Sequence, residues 1–380
     1  MSERKMIQIS QPATGEEEWL SCREALISGW MTQGPKVAEF ERAFAERHHL
    51  SHALATTSCT TALHLILAGM GLGPGDEVIV PAFTWVATAN VVLYCGATPV
   101  FADVDRDTNN IDPADLARKI TSRTKAVIVV HLFGLCADMD AIRRIVPPGV
   151  KIIEDAACAA GASYNGTPAG ALGDAAAFSF HPRKSITTGE GGMITTNDRA
   201  LADRMTMLRN HGASISEEQR HAGPKPYLLP DFSVLGFNYR MTDLQASVGL
   251  VQLAKLDRFI GERQQMAEHY RDRLQRVAWL RMPDFGNGGH AWQAFVTYVD
   301  PESAPMPRND LMERLQAAGI STRPGTHAVH MLGYYRERFD LSPEDCPAAR
   351  DCDANTIAIP LHNRMSEGDC NYVIDTICSF

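Results

Sequence analysis

AVIVVHLFG (Ala126–Gly134) and, further along, KIIEDAA (Lys151–Ala157) are the stretches whose reading decides the fold. Val127, Ile128, Val129 and Val130 are apolar at consecutive positions, so a strand made from them is apolar on both faces. Only a strand covered on both sides can use that pattern, and such strands are typically parallel. Similar runs flank the pair. Upstream lie VIVPAF (Val78–Phe83), which follows the turn-rich GLGPGDE, and ATPVFADV (Ala97–Val104). Downstream lie AAFSF (Ala176–Phe180) and GGMITTND (Gly191–Asp198). Helical stretches such as ALHLILAGM (Ala62–Met70) and DPADLARKI (Asp112–Ile120) fall between them. Alternation of this kind predicts an α/β domain with a mostly parallel central sheet covered by helices on both sides.

From about Asp243 the pattern changes. Leu253, Leu256, Ile260, Tyr270 and Leu274 repeat at helical spacing and predict one long helix. AWQAFVTYV (Ala291–Val299) reads as a strand. NDLMERLQAAG (Asn309–Gly319) has the polar start and glycine stop of a capped helix, and it leads into the strand-like ISTRP. The chain therefore divides into a large α/β domain, residues 1–250, and a smaller α+β domain, residues 251–380. The polar, proline-containing stretch Asn210–Gly236 is a long loop, of the kind that serves a function or meets a partner.

Composition narrows the function. At 380 residues the chain can bury a large core, and 45% hydrophobic with 21% charged residues is ordinary for a globular enzyme. A formal net charge of -9 with no Lys/Arg-rich run argues against a nucleic-acid partner. No apolar run reaches the ~20 residues needed to span a bilayer. MSERKMIQIS at the start lacks the apolar stretch of a secretory signal. The nine cysteines are scattered, with no CxxC pair, which argues against a zinc site or a disulfide framework. The expectation is a cytoplasmic enzyme with reduced thiols and no metal.

Four segments carry chemistry. In FSFHPRKSITTGEGGMITTND (Phe178–Asp198), Lys184 sits in an irregular turn between a short apolar strand and a glycine-rich segment. An amine held there could attack a cofactor aldehyde, as enzymes using pyridoxal 5′-phosphate (PLP) require, although most loop lysines are merely solvated. Ser179 could hydrogen-bond a phosphate, while Gly189, Gly191 and Gly192 would let the backbone approach a ligand. In IIEDAACAAGA (Ile152–Ala162), Asp155 ends an apolar strand at the sheet edge where ligands bind, and could pair with a pyridine nitrogen; it reads equally as the N-cap of a following helix. Ser58, Cys59, Thr60 and Thr61 precede a helix, where free amides and the dipole favour a phosphate, or where hydroxyls simply cap. Neither a GxGxxG nor a GxxxxGK[ST] signature accompanies this site. Trp85, in PAFTWVATANVV (Pro81–Val92), could stack on a planar ring or fill the core.

Together these segments resemble the DegT/StrS family of sugar aminotransferases, PLP enzymes of fold type I. The likeness runs from GWMTQGPKVAEFE (Gly29–Glu41) through GFNYRMTDLQA (Gly236–Ala246) to the C-terminal domain. It implies that Lys184 bonds the cofactor, Asp155 pairs with its ring nitrogen and Trp85 stacks on the ring. Ser58, Cys59, Thr60 and Ser179 would cradle the phosphate, with Asn238 reaching it from a second subunit of a homodimer. Cys158 stands where the family often has Gln or His near the cofactor's 3-oxygen, and a thiol donates a weaker hydrogen bond. Thr32, Gly34, Glu190, His327 and His330 would line the sugar side. The resemblance implies amino transfer from L-glutamate to a nucleotide-linked 4-keto-6-deoxy sugar. A keto-inositol acceptor, a sugar dehydratase and a non-catalytic sensor are the competing readings. Relatives that dehydrate carry His at the lysine position, so Lys184 favours transamination.

Overall fold

In a computed structural model, residues 6–215, 223, 227, 229–286 and 289–380 are described. Seven strands form the large sheet in the order His52–Thr56, Gly192–Thr196, Ala175–Ser179, Lys151–Asp155, Thr124–Val130, Glu77–Pro81 and Thr98–Ala102. The last five of these strands pair in parallel, and Gly192–Thr196 runs antiparallel to both of its neighbours. The large sheet has the expected α/β architecture, mostly parallel and flanked by helices.

The consecutive apolar residues of the deciding strand are divided between two layers. Ile128 and Val130 pack with Leu63, Ile66 and Met205, from the helices Cys59–Met70 and Arg199–Arg209. Val127 and Val129 pack on the opposite face with Phe40 and Phe44 of Pro35–Arg47 and Met139 of Met139–Ile145. Each such side chain contributes about 1.5–3 kcal/mol by leaving water. The helical part of AVIVVHLFG is a surprise: the strand ends at Val130 and Leu132–Gly134 form a 3-10 turn, with Phe133 at φ 57°.

Period two also separates the carboxylates of Lys151–Asp155. Glu154 is fully buried and takes amide hydrogen bonds from Gly170, Leu172 and Gly173, each at 2.7 Å. It also meets His131 Nε2 at 2.9 Å. His131 Nδ1 accepts from the Ala137 amide, so its proton sits on Nε2 and is donated to Glu154. This cluster pins the turn that follows the strand.

A second, four-stranded antiparallel sheet has the order Leu280–Arg281, Phe295–Val299, Thr356–Ile359, Arg323–Pro324. It has its own apolar cluster around Tyr270, Trp292, Phe295, Leu315 and Val373. Ile7 joins this cluster, exchanging backbone hydrogen bonds with Gly319 and Ser321. The expected long helix is two helices, Asp243–Ala254 and Leu256–Leu274, broken at Lys255, where the sequence has neither proline nor glycine. The expected strand Ala291–Val299 begins only at Phe295, because Trp292 takes a positive φ of 47°. The helix expected at Asn309–Gly319 runs Arg308–Ala317 without a side-chain cap at its start. Part of the loop Asn210–Gly236 lies outside the described residues.

Glu154→Gln replaces an all-acceptor group by one that must point an NH2 at two donors. The loss of buried charge-assisted hydrogen bonds should cost about 3–5 kcal/mol, read as a lower urea midpoint.

Candidate active site

The site lies where the parallel strands end. Asp155 is the last residue of its strand and nearly buried. Its Oδ2 accepts from Thr88 Oγ1 at 2.8 Å and its Oδ1 from the Ala157 amide at 3.2 Å, with Cys59 Sγ 3.8 Å away. A turn rather than a helix follows, so Asp155 is no N-cap. Both oxygens keep lone pairs for a further donor. Thr84 lies 3.1 Å from Thr88, and both hydroxyls are buried. Since Thr88 spends its proton on Asp155, Thr84 donates to Thr88. This chain was not anticipated, although Thr84 and Thr88 stand in PAFTWVATANVV four residues apart.

Lys184 is half-buried, and its Nζ lies 3.2 Å from Cys158 Sγ. Burial works against charge on this amine, but the attraction of Cys158, then Cys59 and Asp155, outweighs it and holds its pKa above the usual lysine value. Burial, with Asp155 adding to it, drives the Cys59 thiol well above the ordinary thiol range.

Ser58 caps the helix Cys59–Met70 by accepting from the Thr61 amide, and Thr61 Oγ1 accepts from the Ser58 amide in return. The capping reading therefore holds for these hydroxyls. The amides of Cys59 and Thr60 have no acceptor among the described residues, so a phosphate can still use them. Ser179 is buried at the end of its strand, its Oγ 3.4 Å from the His181 amide. The glycines serve the chain's own backbone: a Cβ on Gly192 would meet the Ser58 carbonyl at 2.5 Å, and one on Gly191 would meet Thr188 Oγ1 at 2.3 Å. Gly189 alone has open space, at φ +83°.

Trp85 is 57% exposed, so it is no core residue, although Phe83 and Thr84 before it are buried. Its ring lies 5.7 Å from that of His327. The pairing of His327–Ala328 with Phe83–Thr84 brings a C-terminal segment to this edge. His330 is not brought there: it is fully buried near Phe101, with Nε2 3.5 Å from the Pro343 carbonyl.

GWMTQG and the Glu190 turn are held by one helix start. Asp243 accepts from the amides of Gly34 (2.8 Å), Lys36 (3.1 Å) and Val37 (3.0 Å), and its own amide donates to the Thr32 carbonyl at 3.0 Å. Gln245 Nε2 donates to the Glu190 carbonyl at 2.8 Å. The capping-box spacing Thr242–Gln245 was the signal in the sequence. Asn238 sits just upstream, exposed, its side chain without a hydrogen bond among the described residues. Near Lys184, burial and then the like charge of Arg183 lower the pKa of Arg323. Neither guanidinium has a carboxylate partner among the described residues.

These residues fit PLP: an amine for its aldehyde, a carboxylate for its ring nitrogen, an exposed aromatic face and unpaired amides at a helix start. Fold and constellation together define a PLP-dependent aminotransferase. The chain belongs to the DegT/DnrJ/EryC1/StrS aminotransferase family, whose model matches residues 12–378. It is 40% identical to the spore coat polysaccharide biosynthesis protein SpsC of Bacillus subtilis (strain 168), over 97% of this chain and 95% of SpsC. It is likewise 40% identical to GDP-perosamine synthase of Caulobacter vibrioides, over 98% of both chains. Among solved structures, the PMP form of Spr1654 from Streptococcus pneumoniae superposes with a TM-score of 0.92 at 29% identity, covering 98% of each chain. A PLP form of the same protein matches with a TM-score of 0.90.

Thr88→Val removes the donor to Asp155 while keeping shape. Loss of that hydrogen bond should lower kcat/KM about tenfold, with Thr88→Ser restoring most of it.

Proposed function

We propose that this enzyme transfers an amino group from L-glutamate to a nucleotide-linked keto-sugar, a 4-keto-6-deoxy sugar by likeness to GDP-perosamine synthase, and so makes an amino sugar for a surface polysaccharide or natural product. The observation that carries the reading is the half-buried Lys184 amine facing buried Asp155 at the mouth of the parallel sheet. Arg183 and Arg323, cations with no carboxylate partner among the described residues, favour an acceptor with a diphosphate over an uncharged keto-inositol. PLP, when bound, supplies an aldehyde and an electron sink. Lys184 Nζ is the amine that would hold the cofactor aldehyde and would carry the proton of the donor's α-carbon. Asp155, held in place by Thr88 and the Ala157 amide, would pair with the ring nitrogen and keep it protonated. The Cys59 and Thr60 amides and Ser179 would hold the phosphate, and Trp85 would offer its face to the ring. Cys158 stands beside the amine rather than as a strong donor to the 3-oxygen. Thr32, Gly34 and Glu190, on loops, and His327, on the short strand His327–Ala328, would flank the sugar.

The working unit we propose is a cytoplasmic homodimer. Ile215, Phe232, Val234 and Leu235, near Asn238, and Trp19, Leu20, Leu26 and Ile27 on the helix Glu16–Ser28 are exposed apolar side chains that a second copy would cover. Asn238 would then serve the other subunit's phosphate. We also divide the chain into residues 1–250 and 251–380; the separate apolar cluster of the smaller sheet supports this, with the helix Leu256–Leu274 reaching into both cores. Among the described residues, no helix is long and apolar enough to cross a membrane.

Borohydride treatment of the PLP-loaded enzyme should fix the label on Lys184, and a labelled peptide lacking Lys184 would overturn the assignment. Asp155→Asn should lower kcat by about 100-fold or more, because the ring loses its charged partner. Mixing inactive Lys184→Ala and Asn238→Asp chains should return up to about one quarter of wild-type activity if the chains pair at random, since one site of each hybrid is intact. If the chains demonstrably exchange and no activity returns, the shared site is ruled out.

A further inference from the structure

The peptide group that precedes Lys184 is held at both ends. Its N–H, the Lys184 amide, donates to the His181 carbonyl at 2.9 Å. Its C=O, on Arg183, accepts from Gln293 Nε2 at 2.8 Å. Among the described residues, Gln293 is the one side chain distant in sequence that bonds the backbone of His181–Lys184. Gln293 is half-buried and is itself fixed from two sides. Its amide donates to the Phe133 carbonyl at 3.0 Å, and its carbonyl accepts from Arg263 Nη1 at 3.3 Å. Arg263 is buried and also holds the Trp292 carbonyl at 3.0 Å and Asn363 Oδ1 at 2.9 Å. On the other side, Gly134 packs backbone against backbone: a Cβ there would meet the Trp292 nitrogen at 2.9 Å and the Gln293 nitrogen at 3.0 Å. This path leads to Asp155. Phe133 lies just beyond Val130, the register partner of Asp155, and the His131 amide donates to the Asp155 carbonyl at 3.1 Å. Gln293 therefore joins the backbone beside the carboxylate to the backbone that carries the amine.

We propose that Gln293 is a positioning residue for Lys184: by fixing the peptide plane between Arg183 and Lys184, it sets where the amine can reach relative to Asp155. The turn His181–Lys184 is already tied at its start to the strand Ala175–Ser179, which pairs with the Asp155 strand. Gln293 supplies the second tie, at the residue next to the amine's own. A plane released at its carbonyl can rotate about the single bonds that flank it, and the long lysine side chain then spreads its nitrogen over more positions. Misplacing a reacting group by about 1 Å can cost about a hundredfold in rate. Because the carbonyl and the N–H belong to one planar group, rotation also draws the Lys184 amide away from His181. The role rests on the reading that Lys184 carries PLP, but the clamp exists without cofactor and can be tested there.

The test is hydrogen exchange in the full-length, cofactor-free chain, wild type against Gln293→Leu, read at the Lys184 amide. In the variant this amide should exchange about tenfold faster, while the amides of Ala175–Ser179 keep their protection. Unchanged exchange at Lys184 overturns the proposal. Equal loss of protection in Ala175–Ser179 also overturns it, because Gln293 would then act on the whole fold. A second arm follows growth of the visible band when PLP is added to cofactor-free protein. Gln293→Leu should capture PLP about tenfold more slowly yet reach the wild-type amplitude at saturation, since the groups proposed to hold the phosphate and ring are untouched. Gln293→His should recover most of the rate, because its Nε2 lies as many bonds from Cα as that of glutamine and can donate. Capture by Gln293→Leu at the wild-type rate overturns the proposal, as does a Gln293→His no faster than Gln293→Leu. Gln293→Glu, which keeps the shape and replaces the donor by an acceptor, carries both arms if Gln293→Leu fails to fold. Borohydride label on Lys184 with unchanged exchange and capture would sink this proposal alone. Label elsewhere would sink the cofactor reading, and faster Lys184 exchange would then still show the clamp.

Discussion

The structure depends on one strand having to bury two consecutive carboxylates. In Lys151–Asp155 the period of two sends Glu154 and Asp155 to opposite faces of the sheet. Burying either charge without partners would cost several kcal/mol, so each face must supply donors. The Glu154 face does so with His131 and three amides of the Gly170–Gly173 turn, which leaves that carboxylate saturated. The Asp155 face supplies less: one hydroxyl, one amide and a weak thiol contact. The shortfall lies on the side where Lys184 stands. A structural anchor and a receptive carboxylate thus come from neighbouring residues, distinguished by how completely each is satisfied.

The strands were legible because burial on both faces leaves a mark that needs no alignment. Val127 to Val130 could form little else, and they divide between the two layers as that pattern demands. The site was legible where it rests on local order in the chain: Asp155 at a strand end, Ser58 to Thr61 at a helix start, Lys184 in a turn. What escaped depends on contacts between distant residues. Nothing near Lys255 announces a helix break, and Lys255 Nζ instead reaches back to Glu18 at 2.7 Å. Gly192 reads as room for a ligand but is needed because the Ser58 backbone passes against it. His327 and His330 look like a pair in sequence, yet a short ladder puts one at the open edge and the 3-10 turn after it folds the other into the core.

The exposed Trp85 shows the same logic from the side of solvent. Its strand neighbours are buried and Thr84 is spent on the hydroxyl chain to Asp155, so the strand has little freedom to turn the indole inward. The exposure is imposed by the residues that position Asp155. Pairing with His327–Ala328 then fixes the edge on which the indole stands. The carboxylate, the aromatic face and the C-terminal segment are therefore mechanically one unit, even though they come from three separate parts of the sequence.

The segment from Asn238 to Gln245 compresses several constraints into a few residues. Asp243 neutralises the start of the helix Pro35–Arg47, where three unpaired amides and the positive end of the dipole meet a buried carboxylate. Gln245 fixes the turn carrying Glu190, directly after the Lys184 turn. Both bonds are internal to one chain, and both hold loops that border the proposed sugar side. Asn238, a few residues earlier, is exposed on the same backbone, which is tied to the end of the strand His52–Thr56 through the Thr57 amide and the Tyr239 carbonyl at 3.1 Å. A second copy docking on the exposed apolar residues around Asn238 would press on the backbone that also orders the Gly34 and Glu190 loops. In that arrangement subunit contact and pocket order cannot vary independently, because the same short stretch of chain transmits both.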